Sequence, residues 1–260
     1  GRSIPQVLYL PDIEPGLALK TIAKRASAIA VTVEDSRKFF SSSKKIVVTG
    51  YPVRQELLHT SREEGLRFFG FSDDLPVLFI YGGSRGAHLI NTAVFSALDQ
   101  LLPFCQVIHI TGEEDFIEAR SLESTFSFSF AGRYQPFSFL HEEMAAAFAA
   151  ADLVISRSGA STLGELPAFG LPAILVPYPY AWRYQKVNAD YLARNGAAVV
   201  IENSELAARI VSEVKAILLD PAVLAEKKAA MHSLSVQDAA ANIAQMVINQ
   251  ADRKGVNKND

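Results

Sequence analysis

Short apolar runs alternate regularly with longer, helix-like segments between residues 77 and 201. Residues 173–176 are apolar throughout, which is typical of strands covered on both faces in a parallel sheet. The predicted strands are 77–81, 106–110, 126–130, 153–156, 173–176 and 197–201, and the predicted helices are 87–101, 113–122, 142–150, 162–169 and 184–195. This order predicts a doubly wound α/β domain built on a parallel sheet.

The N-terminal residues show the same alternation on a smaller scale. Strands are predicted at 7–10, 28–33 and 46–49, with a helix at 16–26. Gly50, Tyr51 and Pro52 then interrupt the pattern, and we place a domain boundary there. After residue 201, helices are predicted at 204–219, 221–232 and 236–250, followed by a polar tail, 251–260, that we expect to be disordered.

Charge and cysteine content exclude several classes of function. The 260 residues carry a net charge of −3 and no stripe of lysines and arginines, so no nucleic-acid partner is expected. The single cysteine, Cys105, lies among apolar residues and excludes a disulfide framework, which indicates a reducing, cytoplasmic compartment. No run reaches the roughly 18 apolar residues of a membrane span. The chain enters a strand soon after Gly1, as the interior of a longer protein would.

Metal and cofactor motifs are not found in the sequence. The five histidines are scattered, and no His/Cys/Asp/Glu cluster or Asp-x-Asp motif has the spacing of metal ligands. The glycine-rich segment 82–86 is neither a Walker loop nor a Gly-x-Gly-x-x-Gly fingerprint. We therefore expect neither a metal nor an organic cofactor.

Two junctions between a strand and a helix are rich in small residues. Strand 77–81 leads into Gly82-Gly83-Ser84-Arg85-Gly86, and strand 153–156 leads into Arg157-Ser158-Gly159-Ala160-Ser161. Unpaired N–H groups and the positive end of the helix dipole meet at such junctions, which makes them phosphate sites. A tight turn alone would explain the first junction equally well. Two such junctions in one domain predict a diphosphate held from two sides.

Polar side chains at the strand ends each allow a structural and a functional interpretation. Thr162 and Glu165 have the spacing of a capping box, with Thr162 as N-cap, but Glu165 could instead accept hydrogen bonds from a ribose. Arg157, directly after a strand, is expected to face an anion. Gln185 and Asn188 share one face of a predicted helix, either as its polar surface or as ligands of sugar hydroxyls.

Together these segments resemble the MurG family of bacterial N-acetylglucosaminyltransferases, which make the second lipid-linked precursor of peptidoglycan. The resemblance covers residues 1 to 250, without about the first hundred residues of the family. The matching segments are Gly50-Tyr51-Pro52-Val53-Arg54, Gly82-Gly83-Ser84-Arg85-Gly86-Ala87 with Asn91, Met144-Ala145-Ala146-Ala147 with Ala151-Asp152, Arg157-Ser158-Gly159-Ala160 with Thr162, Glu165 and Gly170-Leu171-Pro172, Gln185 with Asn188-Ala189, and Gly196-Ala197-Ala198.

The resemblance implies a two-domain GT-B fold. Residues 1–52 would be the C-terminal part of the N-terminal, acceptor-binding domain. Residues 53–235 would bind the UDP-sugar donor, and the helix 236–250 would cross back to the N-terminal domain.

The resemblance also implies the role of individual residues. Arg54, as the catalytic residue, and Ser84 would contact the diphosphate, as would Ala160, Ser161 and Thr162. Glu165 would contact the ribose, and Leu140 and the backbone of His141 would contact the uracil. Gln185 and Asn188 would contact the sugar.

The implied function is an inverting transfer of N-acetylglucosamine from UDP-N-acetylglucosamine to a lipid-linked muramyl-peptide acceptor, by an enzyme peripheral on the inner face of the bacterial cell membrane. The family's N-terminal glycine-rich loops and proposed histidine base have no counterpart, so this chain alone should bind UDP-sugar and transfer nothing. The family's His-Glu-Gln-Asn segment near the acceptor reads Tyr9-Leu10-Pro11-Asp12, and Tyr51 replaces an asparagine.

Two other functions stay open at this point. The chain could be a non-catalytic UDP-sugar binding module, or the donor subunit of a two-chain glycosyltransferase with another acceptor. A UDP-N-acetylglucosamine 2-epimerase has the same fold but would need acids and a histidine around the sugar, and no such set is found in the sequence.

Overall fold

The structure is a computed structural model that describes residues 4–82, 87–126, 128, 130–180 and 184–256. In this part, the N-terminal residues form a parallel sheet of three strands in the order β1-β2-β3. The strands are β1 (Val7–Leu10), β2 (Ala28–Val31) and β3 (Ile46–Val48), with helix α1 (Leu17–Ala23) between the first two. The predicted βα alternation of this segment is confirmed.

The second sheet has six parallel strands in the order β6-β5-β4-β7-β8-β9 within the described residues. The strands are β4 (Val77–Tyr81), β5 (Gln106–Ile110), β6 (Tyr134–Phe137), β7 (Leu153–Ser156), β8 (Ala173–Leu175) and β9 (Ala198–Val200). The chain builds outward from β4 to β6, then returns to the other side of β4 with β7. The direction of winding therefore reverses between β4 and β7, which is the topological switch point of a doubly wound sheet.

Helices cover both faces of this sheet. They are α2 (Arg62–Phe69), α3 (His88–Phe95), α4 (Leu98–Leu101), α5 (Glu113–Phe126), α6 (Met144–Ala150), α7 (Thr162–Phe169), α8 (Tyr184–Arg194), α9 (Leu206–Leu218) and α10 (Pro221–Ser233); a further helix, α11 (Ala239–Val256), follows them. Strand residues alternate between the two cores: Val77 and Phe79 pack towards α2, α6, α7 and α8, while Leu78 and Ile80 pack towards α3 and α9. Each strand is therefore buried on both sides, which explains its apolar sequence.

The predicted strand 126–130 is wrong. Phe126 ends helix α5 instead, Phe128 is exposed, and residues 127 and 129 lie outside the described part of the chain. The strand that pairs with β5 is β6, which contains Pro136. A proline cannot donate to a strand ladder and is tolerated here because β6 lies at the edge of the sheet.

Two helical regions also differ from expectation. Helix α2 was not predicted, although Ser61 and Glu64 form a full capping box at its start. The predicted helix 87–101 is interrupted, because α3 ends at Phe95 and α4 begins at Leu98.

The C-terminal helix returns to the small sheet. In α11, Ile243 and Met246 pack against β1 and β2. The helix continues to Val256, so the tail predicted to be disordered from residue 251 is helical that far. Where the chain leaves the small sheet, Gly50 has a φ of 82°, and a Cβ there would lie 2.7 Å from Cβ of Val236. The outgoing and returning connections therefore touch.

Candidate functional site

The carboxyl ends of β4 and β7 lie side by side at the switch point, where open α/β sheets bind their ligands. Tyr81 ends β4 and pairs in register with Ser156, which ends β7. The two small-residue junctions of the sequence therefore leave the sheet from neighbouring strands. Ser84, expected at the diphosphate, lies outside the described residues, so its contact stays a prediction.

The junction after β7 presents backbone amides at the start of α7. The N–H groups of Thr162, Leu163 and Gly164 already donate to Gly159, Ala160 and Ser161, at 3.1, 3.1 and 3.0 Å. The N–H groups of residues 159–161 donate to no other group in the part of the chain that the structure describes. Three unpaired amides at a helix N-terminus can hold an anion, as expected for Ala160 and Ser161.

The predicted capping box at this helix is wrong. The N-cap is Ser161 rather than Thr162, and no side chain caps the helix. The Thr162 hydroxyl donates to the carbonyl of Gly159 at 2.6 Å, because Thr162 already belongs to the first helical turn. Glu165 is therefore not engaged with a capping threonine.

Glu165 lies in the first turn of α7 and is partly buried. Burial raises the pKa of its carboxyl, and a hydrogen bond from Ser161 and the charge of Arg54 lower it less strongly. Tyr51 packs against the same turn so closely that a Cβ on Gly164 would lie 2.6 Å from Cβ of Tyr51. Burial, followed by the charges of Glu165 and Asp12, raises the pKa of the Tyr51 hydroxyl.

A cavity of about 610 Å³ lies next to Arg54, the residue whose charge acts on Glu165. Its lining includes Arg54, Leu140 and His141, three residues that are far apart in sequence and were expected at one nucleotide. The backbone N–H of His141 donates to Oε2 of Glu143 at 3.0 Å, so the backbone contact expected with uracil is already occupied at that N–H. The lining also includes Leu57 and Ala145, which sequence reasoning missed.

Arg157 has protein partners at the end of β7. Its Nη1 donates to the carbonyl of Val176 at 3.0 Å and to Oδ1 of Asn203 at 2.7 Å. Its guanidinium carbon lies 5.5 Å from the ring centre of Tyr178. Burial lowers the pKa of the guanidinium. These contacts tie the end of β7 to the loops after β8 and β9, and the expected contact with an anion stays a prediction.

Asn188 and Gln185 connect the site to the small sheet and to the loop after β8. The amide of Asn188 donates to Oδ1 of Asp12 at 2.9 Å and accepts from the N–H of Ile13 at 3.2 Å, and the residue is fully buried. The side chain of Gln185 accepts from the N–H of Tyr178 at 2.8 Å. Both lie on one helix face, as predicted, but Asn188 bridges the two sheets, and its expected sugar contact is untested.

No group of three or more histidine, cysteine, aspartate or glutamate side chains suited to a metal occurs among the described residues. Within the same residues, no helix combines the length and apolar character needed to cross a bilayer.

Comparisons with known proteins agree on one family. Residues 77–243 match the glycosyltransferase family 28 C-terminal domain. A Roseiflexus sp. (strain RS-1) protein named UDP-N-acetylglucosamine--N-acetylmuramyl-(pentapeptide) pyrophosphoryl-undecaprenol N-acetylglucosamine transferase is 42% identical over 236 residues, which cover 78% of this chain and 53% of that protein. A protein of the same name from Thermoanaerobacter sp. (strain X514) is 35% identical over 248 residues, 95% of this chain and 68% of that protein.

The comparison of structures agrees in fold. The crystal structure of Acinetobacter baumannii MurG matches with a TM-score of 0.75 and 24% identity, over 95% of this chain and 67% of that one. The predicted GT-B-type α/β architecture is thereby confirmed. The chain spans about half of the Roseiflexus relative and about two thirds of the other two proteins.

Proposed function

The chain belongs to the glycosyltransferase family 28 C-terminal domain family, and from that premise we propose that residues 53–235 bind UDP-N-acetylglucosamine. The observation that carries the proposal is the set of three unpaired amides at residues 159–161, at the switch point. Glu165 lies in the first turn of the helix that follows them, and the charge of Arg54, which lines the 610 Å³ cavity, acts on its carboxyl. A nucleoside diphosphate has the matching parts: an anion for the amides, ribose hydroxyls for Glu165 and a flat base for the cavity.

The proposed reaction is an inverting transfer of N-acetylglucosamine to a lipid-linked muramyl-peptide acceptor. The names of the two relatives give those proteins an N-acetylglucosamine transfer to an N-acetylmuramyl-(pentapeptide) pyrophosphoryl-undecaprenol. The UDP leaving group gains negative charge as the bond to the sugar breaks. The amides of residues 159–161 and the guanidinium of Arg54 would stabilise that charge, and each donor of this kind typically contributes about 2.7–4 kcal/mol.

The acceptor and the general base belong, in this proposal, to the N-terminal part of the relatives that this chain does not span. Residues 1–52 would be the end of the acceptor domain, and α11 would tie the donor domain to it. The complete protein would work at the inner face of the cell membrane, where a lipid-linked acceptor is found.

Calorimetric titration of the 260-residue chain with UDP-N-acetylglucosamine, UDP-glucose, UDP, uridine and NAD tests the donor proposal. We expect UDP and its N-acetylglucosamine conjugate to bind, uridine to bind more weakly, and NAD not to bind. Equal affinity for UDP and uridine would contradict the diphosphate site, and preference for NAD would contradict the whole proposal.

A further inference from the structure

The side chain of Asn188 holds one backbone carbonyl of the junction after β7. Its Nδ2 donates to the carbonyl of Ser158 at 3.2 Å and to Oδ1 of Asp12 at 2.9 Å, and its Oδ1 accepts from the N–H of Ile13 at 3.2 Å. Only this orientation of the amide satisfies all three partners, because a carbonyl and a carboxylate accept hydrogen bonds whereas a backbone N–H donates one. Both N–H groups of this fully buried side chain are therefore committed to the protein.

The carbonyl of Ser158 shares a peptide plane with the N–H of Gly159. In a trans peptide these two groups point in opposite directions, so a hydrogen bond that fixes the carbonyl also fixes the direction of the N–H. The Gly159 N–H is the first of the three amides at residues 159–161 that have no partner among the described residues. Asn188 therefore sets the direction in which one of the unpaired amides points.

A second contact holds the same peptide on α8. The hydroxyl of Ser158, a fully buried residue, donates to the carbonyl of Gln185 at 2.8 Å. Support from outside matters here because Gly159 has no side chain to restrict its backbone, and a Cβ built there would meet nothing within 4 Å. The orientation of this peptide is therefore set by what α8 does to Ser158.

Asp12 supports Asn188 from the other unit of the molecule. It lies just beyond the carboxyl end of β1 in the small sheet, whereas Asn188 belongs to α8 on the large sheet. Without the acceptor at Asp12, one N–H of the Asn188 amide would lose its partner. The amide could then rotate more freely about its last side-chain bond, because rotation about such a bond is only weakly restricted. The small unit thus helps to order the amides at the switch point.

We propose that Asp12 and Asn188 are positioning residues that aim the Gly159 N–H at the diphosphate of the bound nucleotide. The inference rests on the proposed function, since it takes the diphosphate to bind at the amides of residues 159–161. Donors that are already aimed stabilise charge without a cost of reorganisation. Because Asp12 lies outside the donor-binding segment 53–235, the small unit would contribute to the affinity for the donor.

A comparison of Asp12→Ala with Asp12→Asn, by calorimetry with UDP and uridine, tests this role. Both substitutions remove the charge, but only asparagine keeps an oxygen that can accept from Nδ2 of Asn188. We expect Asp12→Ala to bind UDP about 3- to 10-fold more weakly than Asp12→Asn does, the range for one neutral hydrogen bond. Uridine, which has no phosphate, should bind the two variants equally. Equal affinities for UDP, or a parallel loss for uridine, would overturn the proposal.

Two further variants separate the aim of the amide from a general loosening of the molecule. Ser158→Ala frees the same peptide from α8, so it should also weaken UDP binding and spare uridine. Asp35→Ala is the matched control, because Asp35 pairs with Arg194 and so links the same helix to the small unit without touching that peptide. Its UDP affinity should equal that of the wild type.

Unchanged UDP binding in Ser158→Ala, or an equal loss in Asp35→Ala, would overturn the positioning role while leaving UDP binding by the wild type intact. If the wild type bound no UDP at all, the proposed function would fail first and this inference with it.

Discussion

At the scale of single residues, Arg54 is the only lysine or arginine among the described residues that line the 610 Å³ cavity. Arg54 is exposed, follows the linker from the small sheet, and its charge reaches Glu165. A guanidinium in that place can meet a phosphate and still leave the ribose to Glu165.

Arg54→Ala should therefore weaken UDP binding while leaving uridine binding unchanged. The expected loss for UDP is about 10- to 100-fold, or roughly 1.5–3 kcal/mol for a hydrogen bond to a charged group. Titration with both ligands measures it. Arg67→Ala is the control, because Arg67 pairs with Glu63 on α2 at 2.8 Å, outside the cavity lining. An equal loss for uridine and UDP would exclude a phosphate contact.

A second residue-scale prediction concerns His109, which is fully buried in a polar chain. Its Nε2 lies 3.0 Å from Oδ1 of Asn91, and the amide nitrogen of Asn91 donates to Oδ2 of Asp115 at 2.7 Å. Because the Asn91 nitrogen is the donor there, its oxygen must accept, so His109 Nε2 carries the proton. Burial lowers the pKa of His109 to about 3, and the charge of Asp115 opposes that change.

The pH dependence of unfolding follows from this pKa. The folded value of about 3 lies below the ordinary 6.5, so the unfolded chain binds a proton that the folded chain excludes. Stability should be complete above pH 6.5 and fall as the pH drops from there towards 3, by up to about 1.4 kcal/mol per unit. Denaturant unfolding at several pH values measures it. His109→Phe should reduce the slope and the exposed His59→Asn should keep it; an unchanged slope in His109→Phe would contradict the assignment.

At the scale of elements, two glycines flank the start of α7 and differ in what their surroundings allow: Gly159 precedes the helix and Gly164 lies in its first turn. A Cβ on Gly164 would lie 2.6 Å from Cβ of Tyr51, whereas a Cβ on Gly159 would meet nothing within 4 Å. In the unliganded protein, close packing therefore requires a glycine at residue 164 and not at residue 159.

Gly164→Ala should destabilise the protein by about 1–3 kcal/mol, because overpacking outweighs the roughly 1 kcal/mol that alanine gains in a helix. Gly159→Ala should stay within about 0.5 kcal/mol of the wild type. Thermal unfolding of both variants compares them directly. If Gly164→Ala proved as stable as Gly159→Ala, the close contact between Tyr51 and α7 would be refuted.

The strands also show which parts of the fold could be predicted from the sequence. Strands 77–81, 106–110 and 153–156 were predicted with the bounds that the structure gives, because fully buried parallel strands are mostly apolar. The prediction failed in the region 126–137 for two reasons. Phenylalanines alternate with serines at 126–130 as they would in a half-buried strand, while the real strand, β6, contains a proline. Only the position of β6 at the sheet edge makes that proline acceptable, and strand order is a tertiary property.

Sequence-based prediction was limited in the same way for the candidate site. The junction at 157–161 could be found from small residues between a strand and a helix, and Arg54, Leu140 and His141 through the family resemblance. The partners of Asn188 could not, because Asp12 and Ile13 lie more than 170 residues away in sequence.

At the scale of the whole molecule, Asn188 joins the two sheets. Asn188→Ala would leave the buried N–H of Ile13 without its acceptor and remove the bond to Asp12, so we expect a loss of about 2–3 kcal/mol in unfolding free energy. Asn195→Ala is the control, because Asn195 is exposed and directly follows the same helix, and it should change stability by under about 0.5 kcal/mol. Chemical denaturation measures both, and equal stability of the two variants would contradict the bridging role.

The contact between Gly50 and Val236 has a topological consequence. The stretch from 53 to 235 starts and finishes at one spot, like an insertion into a single surface loop of the smaller unit. Because residues 53 and 235 lie close together, a short peptide could replace the whole stretch without interrupting a strand of the small sheet. Related enzymes could then exchange this segment as a whole while keeping the smaller unit unchanged.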